Sequence, residues 1–171
     1  MIAIINSENT ELVEILKNRY KDKCVILSED DDMSGYRLVV LTSFETKFKK
    51  PEGVEVLAVH PSLLPAFKGE NAIKQAFLSG VKVTGVTVHK VEQDEYYGKI
   101  LAQYPVLIGL TTHINELHDE ILAVTKRIYP AVIDAVINDR VFDFSDLFKS
   151  SCSQSCSSGS GCSGCSSKDC H

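Results

Sequence analysis

No stretch of the 171 residues stays apolar for the roughly 18–20 positions that a bilayer-spanning helix needs, so such a helix is not expected. No basic run is present, and the net charge of −5 argues against nucleic acid as a partner. The opening residues Met1-Ile2-Ala3-Ile4-Ile5 lack the positive flank and small-residue cleavage site of a signal peptide, and read as a first strand. A cytoplasmic location is the expectation that follows. Internal repeats are also absent. The body of the chain is nearly without cysteine: Cys24 stands alone there, while Cys152, Cys156, Cys162, Cys165 and Cys170 crowd the end.

That end lacks something more telling. From Ser150 to His171 there is no Val, Ile, Leu or aromatic residue. Without apolar surface to bury, the segment has nothing to offset the entropy of ordering its backbone. The chain therefore divides into an expected folded domain over 1–149 and a flexible Cys/Ser/Gly-rich tail over 150–171. Hydrophobic residues at 44% and charged residues at 24% suit an ordinary globular domain of that size.

Within the body, short apolar runs alternate with helical periodicity. Strands are expected at Ile2–Asn6, Cys24–Leu27, Tyr36–Leu41, Val54–Val59, Val83–Lys90 and Ile100–Val106. The fourth of these ends at His60. A helix is expected from Asn9 or Thr10 to about Arg19, with Leu12, Val13, Ile15 and Leu16 on its buried side. Another runs over Asn71–Ser79 and stops at Gly80. The longest spans Ile114 to Asn138, where Pro130 is expected to kink or break it. Alternation of this kind predicts an α/β fold, an open and mostly parallel twisted sheet with flanking helices. Ligands bind such sheets beyond the carboxyl ends of the strands, which points to the region around His60.

Three segments carry a resemblance. Val59-His60-Pro61-Ser62-Leu63-Leu64-Pro65-Ala66-Phe67-Lys68-Gly69 resembles the active-site segment of folate-dependent formyltransferases. The nearest likeness is to the phosphoribosylglycinamide formyltransferases of purine biosynthesis. Gly80-Val81-Lys82-Val83-Thr84-Gly85-Val86-Thr87-Val88-His89 and Gly98-Lys99-Ile100-Leu101-Ala102-Gln103 continue it, as does Ile128-Tyr129-Pro130. The resemblance implies an α/β formyltransferase fold and transfer of a formyl group from 10-formyltetrahydrofolate to a small-molecule amine. It also implies an Asn, a His and an Asp at the reacting centre. His60 stands at the family's histidine position. The Asn position is Ala58, and the Asp position, seven residues after His89, is Tyr96. Tyr is neutral near pH 7 and cannot orient an imidazolium as a carboxylate does. Candidate pocket residues are His60, Ser62, Leu64, His89 and Tyr96.

Other family features are altered as well. The glycine-rich turn that binds the substrate phosphate reads Asn6-Ser7-Glu8-Asn9-Thr10, with no glycine and an acid that would repel the anion. Ser43-Phe44 is followed by Glu45-Thr46-Lys47 where the family lines its pterin site with Met and Arg. The N-terminal half is shortened by at least one β–α unit. Glu92, Asp94 and Glu95 precede Tyr96 and read as a solvated acidic loop, with compensation for the missing Asp as the other reading.

Two functional readings follow. One is an inherited formyltransferase that is impaired, a pseudoenzyme in the limit. The other is a non-enzymatic scaffold or leader for the tail. There, Cys162-x-x-Cys165 with Cys156, Cys170 and His171 has the donor chemistry for zinc or an iron–sulfur cluster. Alternating Ser and Cys equally suits a peptide matured by a modifying enzyme. A merely flexible, redox-sensitive appendage is the third account of the same residues.

Overall fold

The computed structural model describes residues 1–5, 10–44, 48, 50–92, 98–145 and 147. The tail from 148 onward, Tyr96 and its neighbours 93–97, and the segments 6–9 and 45–47 lie outside the described residues. Expectations placed there, including the Cys ligands and Asp94 and Glu95, concern residues not described.

Six strands form one sheet: β1 Ile2–Ile5, β2 Cys24–Leu27, β3 Leu38–Leu41, β4 Glu55–His60, β5 Val83–Lys90 and β6 Ile100–Leu107. Their spatial order is β2-β1-β3-β4-β5-β6. The first four strands pair in parallel, and β5 and β6 are added antiparallel. Among the described residues three α-helices of more than one turn accompany the sheet, α1 Thr10–Tyr20, α2 Ala72–Leu78 and α3 Ile114–Ile137, and a 3-10 turn, Lys21–Lys23, leads into β2. The strands expected from the apolar runs are all present, with ends shifted by a few residues. β1 and β3, in the middle of the parallel strands, are apolar throughout because both of their faces are covered.

The alternation of side chains assigns the two faces. Ile2, Ile4, Leu38, Val40, Leu57, Val59, Val86 and Val88 face the helices and form the main core with Leu12, Leu16, Leu117, Ile121, Ile128 and Val132. Ala3, Ile5, Val39, Leu41, Val56 and Ala58 face the other way, against Met33, Val54 and Val91 with Tyr36 and Phe48. Among the described residues every helix therefore packs on one face. The reason is local: residues 28–37, which link β2 to β3, contain no helix.

Pro130 does not break α3, which runs unbroken through it. Packing explains the difference. Ile128, Tyr129, Val132 and Ile133 are all within 1% of full burial, so the flanking turns are held from outside. Tyr20 also gives its hydroxyl to the carbonyl of Pro130, 3.2 Å away, and to Asp134, 2.8 Å away. At the start of α3 the backbone N–H of His113 donates to Glu116 at 2.8 Å, half of a capping box.

Candidate functional site

β4 delivers His60 to its carboxyl end, beside β5. The ladder sets Ala58 opposite His89 and His60 opposite Thr87. Residues opposite one another project to the same face, so Ala58, His60, Thr87 and His89 share the face away from the helices. The β5–β6 register shifts at this point: Val88 faces Ala102 and His89 faces Ile100, so the extra residue, Leu101, is on β6.

The loop after β4 is tied down by its own polar groups. His60 Nε2 lies 3.0 Å from the carbonyl oxygen of Phe67. A carbonyl only accepts, so in this contact Nε2 carries the hydrogen. Phe67 holds a left-handed backbone, φ 50°, and so does Gly69, φ 86°. Ser62 Oγ donates to Ala66 O at 2.6 Å. Thr87 is the loop's anchor: its Oγ1 donates to Ser62 O at 2.7 Å and accepts from Leu64 N at 3.0 Å. Gln103 on β6 donates to Leu64 O at 2.7 Å and to Thr87 Oγ1 at 3.1 Å. Leu63 then lies over Gly85, where an added Cβ would stand 2.8 Å from Leu63 Cδ2 and 2.1 Å from Tyr104 O. Glycine is required there by close approach.

His89 is 1% exposed. Its Nδ1 lies 3.3 Å from Lys90 O and 3.4 Å from the N–H of Gly98, so either tautomer finds a partner. Burial, against a partial opposing effect of Lys90 O, holds its pKa below 6.5, and the proximity of His60 adds to the depression. The ring is neutral near pH 7.

The strand order reverses between β1 and β3, one strand away from β4: β1 connects outward to β2, and β3 lies on its other side. Just past β3, Thr42 donates to Ile5 O at 2.8 Å and ties the ends of β1 and β3 together. From the helix side, the Tyr129 hydroxyl lies 2.9 Å from both Leu41 O and Leu57 O. One hydroxyl hydrogen is thus within reach of two carbonyls, one at the end of β3 and one within β4.

Of the expected site residues, the fold brings His60, Ser62, Leu64 and His89 to one end of β4 and β5. Ser62 and Leu64 are engaged within the loop, and Ala58 contributes only a methyl group. Tyr96 lies outside the described residues. Glu92 is exposed and forms no ion pair among the described residues. The roles of Thr87, Gln103 and Tyr129 were not read from the sequence; only their place in the matching segments marked them. Among the described residues no group of three or more His, Cys, Asp and Glu is placed to hold a metal. A cavity of about 350 Å³ opens at the opposite end of the sheet, lined by Ile2, Asp22, Lys23, Arg37 and Glu55 among others, away from His60. No described helix is long and apolar enough to cross a membrane.

The described residues thus form an open α/β sheet with a histidine at the carboxyl end of a strand, one place from where the strand order reverses, the end at which sheets of this class bind ligands. Comparison with known proteins narrows this. The formyl transferase family model matches residues 34–133, and the chain belongs to that family. It is 39% identical over 85 residues to a phosphoribosylglycinamide formyltransferase of Bacillus subtilis, a match covering 50% of this chain and 44% of that one. It is 39% identical over 109 residues to the human trifunctional purine biosynthetic protein adenosine-3, covering 64% of this chain and 10% of that one. The chain thus matches less than half the length of these relatives. Among solved structures, a phosphoribosylglycinamide formyltransferase from Bacillus halodurans superposes with a TM-score of 0.65 at 26% identity, over 80% of this chain and 94% of that one.

Proposed function

We propose that this protein is a phosphoribosylglycinamide formyltransferase-like member of its family that no longer transfers a formyl group at enzymatic speed. Formyl transfer needs donors set in advance around the developing oxyanion, and a group that takes a proton from the attacking amine. The observation that carries the reading is Ala58, which faces the same side of the sheet as His60, opposite His89, and offers only a methyl group there. Around it, the polar groups among the described residues are engaged elsewhere: His60 Nε2 on Phe67 O, Ser62 Oγ on Ala66 O, and Thr87 Oγ1 on the Ser62–Leu64 turn. The described donor set does not fit the transfer from 10-formyltetrahydrofolate. Tyr96 at the Asp position and Glu8 in the phosphate turn support the same reading from the sequence.

Isothermal titration with a 10-formyltetrahydrofolate analogue tests it. No saturable binding is expected below about 1 mM, the upper end of ordinary KM values. Binding in the low micromolar range would revive the enzyme reading. The second reading is a scaffold whose tail meets a modifying enzyme or a metal. It rests on the Cys162-x-x-Cys165 spacing and the lack of apolar residues over 150–171. Intact mass of the protein from its native host tests that reading. An unmodified, metal-free tail contradicts it.

A further inference from the structure

The two edges of the sheet differ in how they are protected. β6 is interrupted by Pro105, which has no N–H to offer a further strand, and the aromatic rings of Phe144 and Tyr104 lie 6.2 Å apart beside it. β2 has no such device. Its four residues, Cys24-Val25-Ile26-Leu27, include no charge, no proline and no bulge. Among the described residues no strand pairs with its outer side. Ile26, at 38% exposure, is a large apolar side chain left on that edge.

The flanks of β2 carry opposite charges. Lys21, Asp22 and Lys23 lead into the strand, with Lys17 on α1 close enough to influence Cys24, so this flank is net basic with one acid in it. Glu29, Asp30, Asp31 and Asp32 follow it. All these flanking residues are exposed. Neither the three lysines nor Glu29 and Asp30 have an ion-pair partner among the described residues. If a second β2 lies alongside in parallel, base faces base and acid faces acid. If it lies antiparallel, the lysines of each copy meet the acids of the other at both ends. Antiparallel pairing of a strand with itself is also what a two-fold axis produces, and it closes after two copies.

We propose that β2 is a dimerisation edge, at which two copies of this chain join antiparallel and continue the sheet across a two-fold axis. The backbone pairing supplies the contact and the charged flanks set its direction. A strand this short buries little area, so the dimer is a weak one, with Kd in the range of about 10–100 µM.

Sedimentation equilibrium on the full-length protein under reductant, which removes any link through the tail cysteines, is the test. The wild type should show dimer near 100 µM at low ionic strength, with Kd rising at least about tenfold between about 0.05 M and 0.5 M salt as the flanks are screened. Ile26→Lys should be monomeric with an unchanged circular dichroism spectrum. Lys21→Glu/Lys23→Glu and Glu29→Lys/Asp30→Lys should each be monomeric alone and form a heterodimer when mixed. A wild type monomeric at about 200 µM overturns the proposal. So does a dimer that survives Ile26→Lys, one lost on reduction, or a mixture of the two charge variants that fails to associate.

Discussion

His60 Nε2 meets the carbonyl oxygen of Phe67 at 3.0 Å, across the loop that follows β4. The contact fixes the proton on that nitrogen and ties the ring to a backbone held in the left-handed region. The histidine that marks the family is thereby part of the loop's own framework, next to an alanine that brings no donor. Several consequences can be measured.

Restoring the lost side chains should not restore the reaction. Removing one oxyanion donor typically costs about 10²–10³-fold, and losses within one catalytic unit do not add simply. The Ala58→Asn/Tyr96→Asp variant returns two groups but leaves Glu8 in the phosphate turn and the altered segment after Phe44. Its formyl-transfer rate is expected within about tenfold of the wild type. A gain near 10³-fold would show that the binding sites are intact.

Tyr129 joins α3 to the ends of β3 and β4. Tyr129→Phe removes the hydrogen shared by Leu41 O and Leu57 O and leaves both carbonyls buried. A loss of about 1–3 kcal/mol in urea unfolding is expected. The helix content should be unchanged, because the ring still fills its place in the core.

Thr84 provides the opposite case. Its hydroxyl is buried on the helix-facing side of β5 without a hydrogen-bond partner. Thr84→Val keeps the shape and removes the orphaned group. Stability should stay level or rise by about 1 kcal/mol in the same assay.

His89 makes stability depend on pH. Its folded pKa lies below 6.5 through burial, so below that pH the unfolded chain binds a proton that the folded chain does not. The stability this group contributes is complete above about pH 6.5 and is lost as pH falls through the folded pKa. Urea midpoints measured from about pH 7.5 to 5 should decline, and His89→Gln should remove up to about one proton from the slope. An identical slope in the variant would assign the dependence to other groups.

Much of the fold was legible because its signals are local. Thr87 and Val88 stand in a β-branched run that admits only a strand, and Leu117, Ile121 and Ile128 mark one side of a helix. His60 at a strand end was legible for the same reason. The exception within reach of sequence was Pro130: the ring argues for a break, and only the burial of Ile128, Tyr129 and Val132 shows why α3 continues. The site's scaffolding was not legible. Thr87 finds Ser62 and Leu64, Gln103 finds Leu64, and Tyr129 finds Leu41 and Leu57 across separations that no periodicity encodes. The one-sided placement of the helices was hidden too: residues 28–37 read as a loop between two strands, but which face each helix covers is decided by packing and not by periodicity.

The most direct measurement of the central claim is steady-state formyl transfer by the purified wild type, with 10-formyltetrahydrofolate and glycinamide ribonucleotide both saturating. Ordinary enzymes turn over at about 10 s⁻¹, and the loss of a single donor lowers that by about 10²–10³. Turnover below about 0.1 s⁻¹ is the predicted result. Turnover of about 1–10 s⁻¹ would contradict it and require donors around His60 other than those described.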